Sequence, residues 1–270
     1  MIFNKTSSFG NDFIEIDESD LPAAAVDKCL LAREICDAHR AVGADGVVFY
    51  RFKKNEFPFA VYNRDGGEAE LSGNGMAGLA AVLFQRRLAS SPLNLLTKCG
   101  TRRVALLGRA GPMFHLQVEI GLPDFSNRRF FPFLKEKQDR YSIDDLEFYP
   151  LSVGNPHVVV LCPEALATER LTVLGQKMER HEGFPLRVNV EFVSFTDPEN
   201  CRVFFYERGV GPTLASSTGS AAVFAVLRRL GLVRESLQIT SGSEKIGVFW
   251  QAAIFIENFT RLVCRGNYFG

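Results

Sequence analysis

Tyr62-Asn-Arg-Asp-Gly-Gly67 is followed by Glu-Ala-Glu-Leu-Ser72-Gly-Asn-Gly75, and Tyr206-Glu-Arg-Gly-Val-Gly211 by Pro-Thr-Leu-Ala-Ser216-Ser-Thr-Gly219. Both stretches read Y-x-R-x-x-G, four residues, then S-x-[NT]-G. Their offset is 216 − 72 = 144 residues. The same offset relates Gly10-Asn11 to Gly154-Asn155. It also relates Asp45 to Asn189, each just ahead of an apolar run (Val47-Val48-Phe49 and Phe192-Val193). One register held at four separated points is the mark of an internal duplication. Each half is then one fold unit of about 120–140 residues. A site built from both copies is expected where they face each other, since domain interfaces favour clefts.

Working outward, strand-like stretches occur at Phe13–Ile16, Gly46–Arg51, Pro58–Tyr62, Val104–Leu107, Phe114–Ile120, His157–Leu161, Glu191–Ser194 and Cys201–Tyr206. Each S-x-[NT]-G leads into a helix, over Asn74–Leu88 in one copy and Thr218–Leu230 in the other. Both segments are apolar nearly all round, which predicts buried helices. The basic pairs Arg86-Arg87 and Arg228-Arg229 are expected in their last turns, where cations suit the helix dipole. Gly231 is a candidate C-cap. An earlier helix is predicted over Ala24–Ala38, and the charged stretch Lys135–Leu146 reads as a surface loop.

These elements predict an α+β protein of two pseudo-symmetric domains, each a curved, mostly antiparallel sheet wrapped around a central helix. The first half spans 1–118, with a C-terminal strand near 260–270 returning to it. The second spans 119–259.

Composition excludes several classes. The 31 basic and 31 acidic residues cancel, so no charged stripe points to nucleic acid. No apolar run approaches the ~18 residues of a membrane span, and the N-terminus lacks a signal-peptide core. Six cysteines, none in a CxxC pair, are expected as buried thiols, and four histidines are too few for a metal cluster. With 24 phenylalanines and one tryptophan, the cores are expected to be Phe-rich.

The repeated turn carries the chemistry. A Gly-rich turn entering a helix offers backbone N–H groups and the positive end of the helix dipole to an anion, most simply a carboxylate. The glycines do not form a nucleotide-binding fingerprint. Ser72 and Ser216 sit at the same place in the two copies. Two groups flanking one carbon suit removal of a proton from one face and its return to the other. A thiol, with a pKa of about 8.5 that a helix N-terminus lowers, serves this better than a hydroxyl. A hydroxyl needs a neighbouring base.

The blocks FGNDFIEID, VGADGVVF, YNRDGGEAELSGNG, VGNPHVVV, RVNVEFV and YERGVGPTLASSTGSAA occur in this order between residues 9 and 222. Together they resemble the successive signatures of the diaminopimelate epimerase family. The resemblance implies a cytoplasmic, homodimeric racemase or epimerase of lysine biosynthesis, working without pyridoxal phosphate or metal on a small amino acid or amino diacid. It implies substrate binding by Asn11, Asn63, Asn155, Asn189, Glu207 and Arg208, and a catalytic role for His157. It also implies a carboxylate cradle of backbone amides at Gly73, Asn74 and Gly75 and at Ser217, Thr218 and Gly219. Arg208 can clamp a carboxylate through two parallel bonds.

The sequence departs from the family pattern where protons would move. The family's two catalytic cysteines are Ser72 and Ser216 here. The usual Arg-Cys after GNG is Ala77-Gly78, and the usual Glu-Thr ahead of the second cysteine is Pro212-Thr213. Drift of the neighbours reads as natural divergence. Two alternatives therefore stand beside a two-base epimerase. One is a divergent isomerase or cyclase with His157 or a carboxylate as its single base. The other is an inactive amino-acid-binding homologue. Simpler roles stand too: the asparagines and Asp45 as turn residues, and His157 as a structural hydrogen bonder.

Overall fold

The computed structural model describes all residues except 22–25, 54–55, 136–137, 145, 163–165 and 270. The chain divides into two units, Met1–Glu119 with Glu257–Gly270, and Ile120–Ile256.

The first unit contains β1 (Ile2–Ser8), β2 (Asn11–Asp17), α1 (Lys28–Ile35), β3 (Gly46–Tyr50), β4 (Phe57–Asn63), β5 (Glu68–Ala69), α2 (Gly73–Gln85), β6 (Leu93–Thr97), β7 (Gly100–Ala110) and most of β8 (Met113–Gly121). The second contains β9 (Tyr141–Ile143), β10 (Leu146–Ser152), β11 (Pro156–Leu161), α3 (Thr168–Glu179), β12 (Asn189–Asp197), β13 (Asn200–Glu207), β14 (Gly211–Thr213), α4 (Ser217–Arg229), β15 (Ser236–Ser241) and β16 (Glu244–Trp250). The last strand, β17 (Ile254–Asn267), begins in the second unit and ends in the first.

In the first unit β1 pairs antiparallel with β2 and β17. The sheet continues through a parallel β2–β3 pair, an antiparallel β3–β4 pair and a parallel β4–β6 pair. Antiparallel β6–β7 and β7–β8 pairs follow, and β8 pairs with β17 to close a ring of strands. The second unit repeats the series. Here β10–β11 is antiparallel, β11–β12 parallel, β12–β13 antiparallel, β13–β15 parallel, and β15–β16 and β16–β17 antiparallel. The element bounds repeat as well. Adding 144 to β1 gives β10, and adding it to α2 gives Ser217–Arg229, the span of α4. The chain is thus the expected α+β protein of two like halves.

Each curved sheet needs a filler, and the apolar helices supply it. Gly73–Leu83 of α2 and Ser217–Leu227 of α4 are buried throughout. Such helices gain their stability from packing, not from an amphipathic stripe. The second unit also has an aromatic cluster outside its central helix. Phe131, Phe148 and Phe184 are buried there, and Phe133 and Tyr141 pack against them. Their edge-on pairs, such as Phe131–Phe184 at 6.1 Å and 89°, each add about 1 kcal/mol beyond burial.

Several expectations are corrected. The first helix starts at Lys28, not Ala24, because the Asp27 side chain accepts the N–H groups of Cys29 and Leu30. Ala24 and Ala25 lie outside the described residues. The supposed loop Lys135–Leu146 contains β9, which pairs with β10 and brings Tyr141 to the aromatic cluster. Of the cysteines, only Cys36 and Cys201 are buried; Cys29 and Cys264 are exposed.

The end of α2 differs from the reading as well. Arg86 is its C-cap and Arg87 follows in the left-handed region at φ 56°, so the basic pair lies past the last turn. Leu88 N–H bonds to Leu83 C=O and Arg87 N–H to Phe84 C=O. The equivalent bonds in α4 come from Leu232 and Gly231, and Gly231 has φ 73°. Both ends are Schellman motifs, but only one has the residue the motif favours. Arg87→Gly is therefore expected to stabilise the protein by about 1 kcal/mol in urea unfolding.

Candidate active site

Ser72 and Ser216 both hold extended backbone, at φ −140°, ψ 115° and φ −133°, ψ 119°. Each is the N-cap of its central helix. Ser72 Oγ accepts from Gly75 N–H at 3.1 Å, and Ser216 Oγ accepts from Gly219 N–H at 3.2 Å. Capping is the ordinary reason for serine at such a place. It leaves the hydroxyl proton available to another acceptor. The first-turn residues Gly73, Asn74 and Gly75, and Ser217, Thr218 and Gly219, are buried. Gly219 must stay small, because a Cβ there would meet Glu191 Oε1 at 2.8 Å and the Phe205 ring at 2.9 Å.

The two caps differ in their acceptors. Ser216 Oγ donates to Glu207 Oε2 at 3.1 Å, and Thr213 Oγ1 donates to Glu207 Oε1 at 2.7 Å. Burial pushes the Glu207 carboxyl up to about 7, against the pull of those two hydroxyls and of His157. A group at that value can hold or release a proton near neutrality. Pairing of β13 with β14 sets this arrangement, with Glu207 opposite Gly211 and Phe205 opposite Thr213. In the first unit, the side-chain bond found for Ser72 is the cap itself.

His157 is fully buried in β11, and both ring nitrogens are engaged. Nδ1 bonds Glu191 Oε1 at 2.7 Å and Nε2 bonds Asn155 Oδ1 at 2.9 Å. Asn155 Nδ2 in turn donates to Thr218 Oγ1 at 3.3 Å. Glu191 is raised by burial and held down by His157. Parallel pairing of β11 with β12, His157 opposite Asn189, sets Glu191 two residues along on the same face. Glu191 was not singled out from the sequence. Its signal was a carboxylate inside the apolar run Val190–Val193.

The remaining predicted residues fall into two sorts. Asn189 spends its amide on backbone, donating to Pro156 C=O at 2.8 Å and accepting Arg208 N–H at 3.0 Å. Arg208 Nη1 donates to Leu186 C=O at 3.0 Å. Asn11, at the head of β2, is buried, and among the described residues its Oδ1 has no donor. Asn63 closes β4 and is half-buried; its backbone forms a turn with Gly66 and Gly67. Asp45 accepts Asp12 N–H at 2.9 Å, and its carbonyl accepts Arg64 N–H. That is the turn role, with burial raising its carboxyl.

Among the described residues, no three His, Cys, Asp or Glu side chains gather as a metal site. No helix among them is long and apolar enough to cross a membrane.

The sequence profile of the diaminopimelate epimerase family matches residues 3–125 and 149–253. The diaminopimelate epimerase of Carboxydothermus hydrogenoformans is 32% identical, with all of both chains covered. That of Methanocaldococcus jannaschii is 31% identical over 86% of this chain and 85% of its own. The fold is shared with a crystal structure of a probable proline racemase from Agrobacterium radiobacter K84 with bound carbonate. The TM-score is 0.71 at 15% identity, over 99% of this chain and 92% of that one. The repeated fold, the paired helix caps and this similarity over most of its length show that the chain belongs to the diaminopimelate epimerase family, on an isomerase scaffold.

Proposed function

We propose that the protein exchanges the α-proton of a small amino acid or amino diacid, without an added cofactor, using Ser72 and Ser216 as the two proton-transfer groups. The observation that carries this is the Ser216–Glu207 hydrogen bond at 3.1 Å, with the carboxyl near 7. Ser216 Oγ takes the α-proton while its own proton passes to Glu207. The first-turn amides of α2 and α4 stabilise the charge left on the substrate carboxylate. Ser72 O–H supplies the proton to the other face and recovers one from water. Glu207 then returns its proton to solvent, and the balance closes.

Among the described bonds Ser72 makes only its cap, so in this reading it is the weaker of the pair. The family's cysteine at that place would be the better acid, and this reading expects slow turnover. If the chemistry instead uses a single base, Glu207 is the carboxylate suited to it. His157 has both nitrogens engaged inside the second unit. The family reading also carries a cytoplasmic homodimer and a place in lysine biosynthesis.

The test is α-deuterium incorporation from D2O into L,L-diaminopimelate, lysine, glutamate and histidine. Incorporation into at least one is expected; its absence from all four in folded protein ends this reading. A paired Ser72→Cys and Ser216→Cys variant is expected to raise the rate with L,L-diaminopimelate at least tenfold.

A further inference from the structure

In the first unit a chain of buried polar side chains runs from the strand ring to the start of α2. Ser8 and Thr260 are direct partners across β1 and β17, with their hydroxyls 2.7 Å apart. Thr260 Oγ1 donates to Asn258 Oδ1 at 2.7 Å, and Asn258 Nδ2 donates to Asn74 Oδ1 at 3.1 Å. Asn258 and Thr260 are fully buried, and Ser8 and Asn74 are 1% and 5% exposed. The chain has one direction. Thr260 has a single hydroxyl proton and gives it to Asn258, so Ser8 must be the donor to Thr260. Asn258 turns its oxygen to Thr260 and its Nδ2 to Asn74, so Asn74 Oδ1 accepts. Asn74 Oδ1 is thereby held toward Asn258 as an acceptor.

The second unit ends a different chain at the equivalent residue. Glu191, His157 and Asn155 lead to Thr218, and 74 + 144 = 218. Thr218 Oγ1 accepts from Asn155, which leaves its proton to be directed elsewhere. The supporting residues are not equivalent in sequence: Asn155 corresponds to Asn11, and Asn258 to Phe114. Two unrelated sets of buried groups thus act on the same helical position.

We propose that Asn258, Thr260 and Ser8 are positioning residues that fix Asn74 as an inward acceptor, so that the first turn of α2 presents donors to a substrate carboxylate. This rests on reading that turn as part of the carboxylate cradle. Loss of the Asn258 bond would release the Asn74 oxygen from its inward place, and an amide oxygen turned toward the anion would repel it.

The test separates a hydrogen-bond relay from packing. Thr260→Val keeps the shape and removes the hydroxyl; Thr260→Ser keeps the hydroxyl and removes a methyl. Amide hydrogen exchange is followed at 73–76, with the equivalent amides at 217–220 as internal reference. Thr260→Val is expected to speed exchange at 73–76 about fivefold over the reference, the worth of one internal hydrogen bond, while Thr260→Ser leaves it unchanged. Calorimetric affinity for L,L-diaminopimelate should fall by a similar factor in Thr260→Val alone. Equal effects of the two variants, a larger effect of Thr260→Ser, or no effect of Thr260→Val would overturn the relay. If the unaltered protein binds no L,L-diaminopimelate, the cradle reading falls, and the exchange pattern still decides the relay.

Discussion

Glu207→Gln is expected to lower α-proton exchange by about 10²–10⁴-fold, the usual worth of a general acid–base group. The amide keeps the shape and can still accept from Ser216 or Thr213, so the cap of α4 should survive. What it loses is the ability to take the Ser216 proton. Wild-type activity should rise with pH through about 7, as the carboxyl ionises. Glu207→Gln should flatten that rise. Thr213→Val removes a hydroxyl that lowers the carboxyl's pKa, so it should move the rise to higher pH. Stability gives a second readout with a defined sign. The folded carboxyl titrates at about 7, above its ordinary 4.5. The folded state therefore holds the proton longer. Stability falls as pH climbs from 4.5 to 7, and the full cost applies above that range. Glu207→Gln lacks this cost. Relative to wild type it should gain on the order of 1–3 kcal/mol between pH 4 and pH 8. A variant that loses activity and also loses stability at pH 8 would place Glu207 in the scaffold, not in the chemistry.

The duplication was the most legible part of the fold. Its register was set by four short matches, and the same 144-residue offset returns in the bounds of β10 and α4. The apolar helices were legible because filling a closed ring of strands requires an apolar surface on every side. The helix ends were less so. Asp27 and Arg87 fix the limits of α1 and α2 through local hydrogen bonds that periodicity does not register. The site was readable as a set of residue types and not as a network. Nothing local in the sequence tells that Glu207 is bonded by both Thr213 and Ser216, or that His157 lies against Glu191. Those contacts follow from strand register, 34 residues apart in the second case. Asn258 and Thr260 were passed over entirely. Alternation along β17 turns them inward while Phe259 and Arg261 are exposed.

The same register makes His157→Ala the largest expected loss of stability, about 3–5 kcal/mol in urea unfolding. His157 and Glu191 are 0% and 1% exposed and 2.7 Å apart. Among the described residues Glu191 Oε2 has no hydrogen-bond partner, and Gly219 packs directly over the carboxyl. Removing the imidazole leaves a buried carboxyl without its hydrogen bond, and leaves Asn155 Oδ1 without its donor. The pH dependence follows from two opposing effects. Burial raises Glu191 and His157 holds it down, so the alanine variant should carry a still higher value. A raised carboxyl costs stability as pH rises past its ordinary range toward its folded value. The gap between His157→Ala and wild type should therefore widen from pH 4 to pH 8. Adding Glu191→Gln to His157→Ala should recover part of the loss and remove the widening, since no buried charge remains to form. A purely catalytic histidine predicts the reverse, with turnover lost and stability within about 0.5 kcal/mol of wild type at every pH. The bonding of both ring nitrogens argues against that outcome. Any loss of turnover in His157→Ala should then come through Asn155 and Thr218, and it should track the loosening of the first turn of α4.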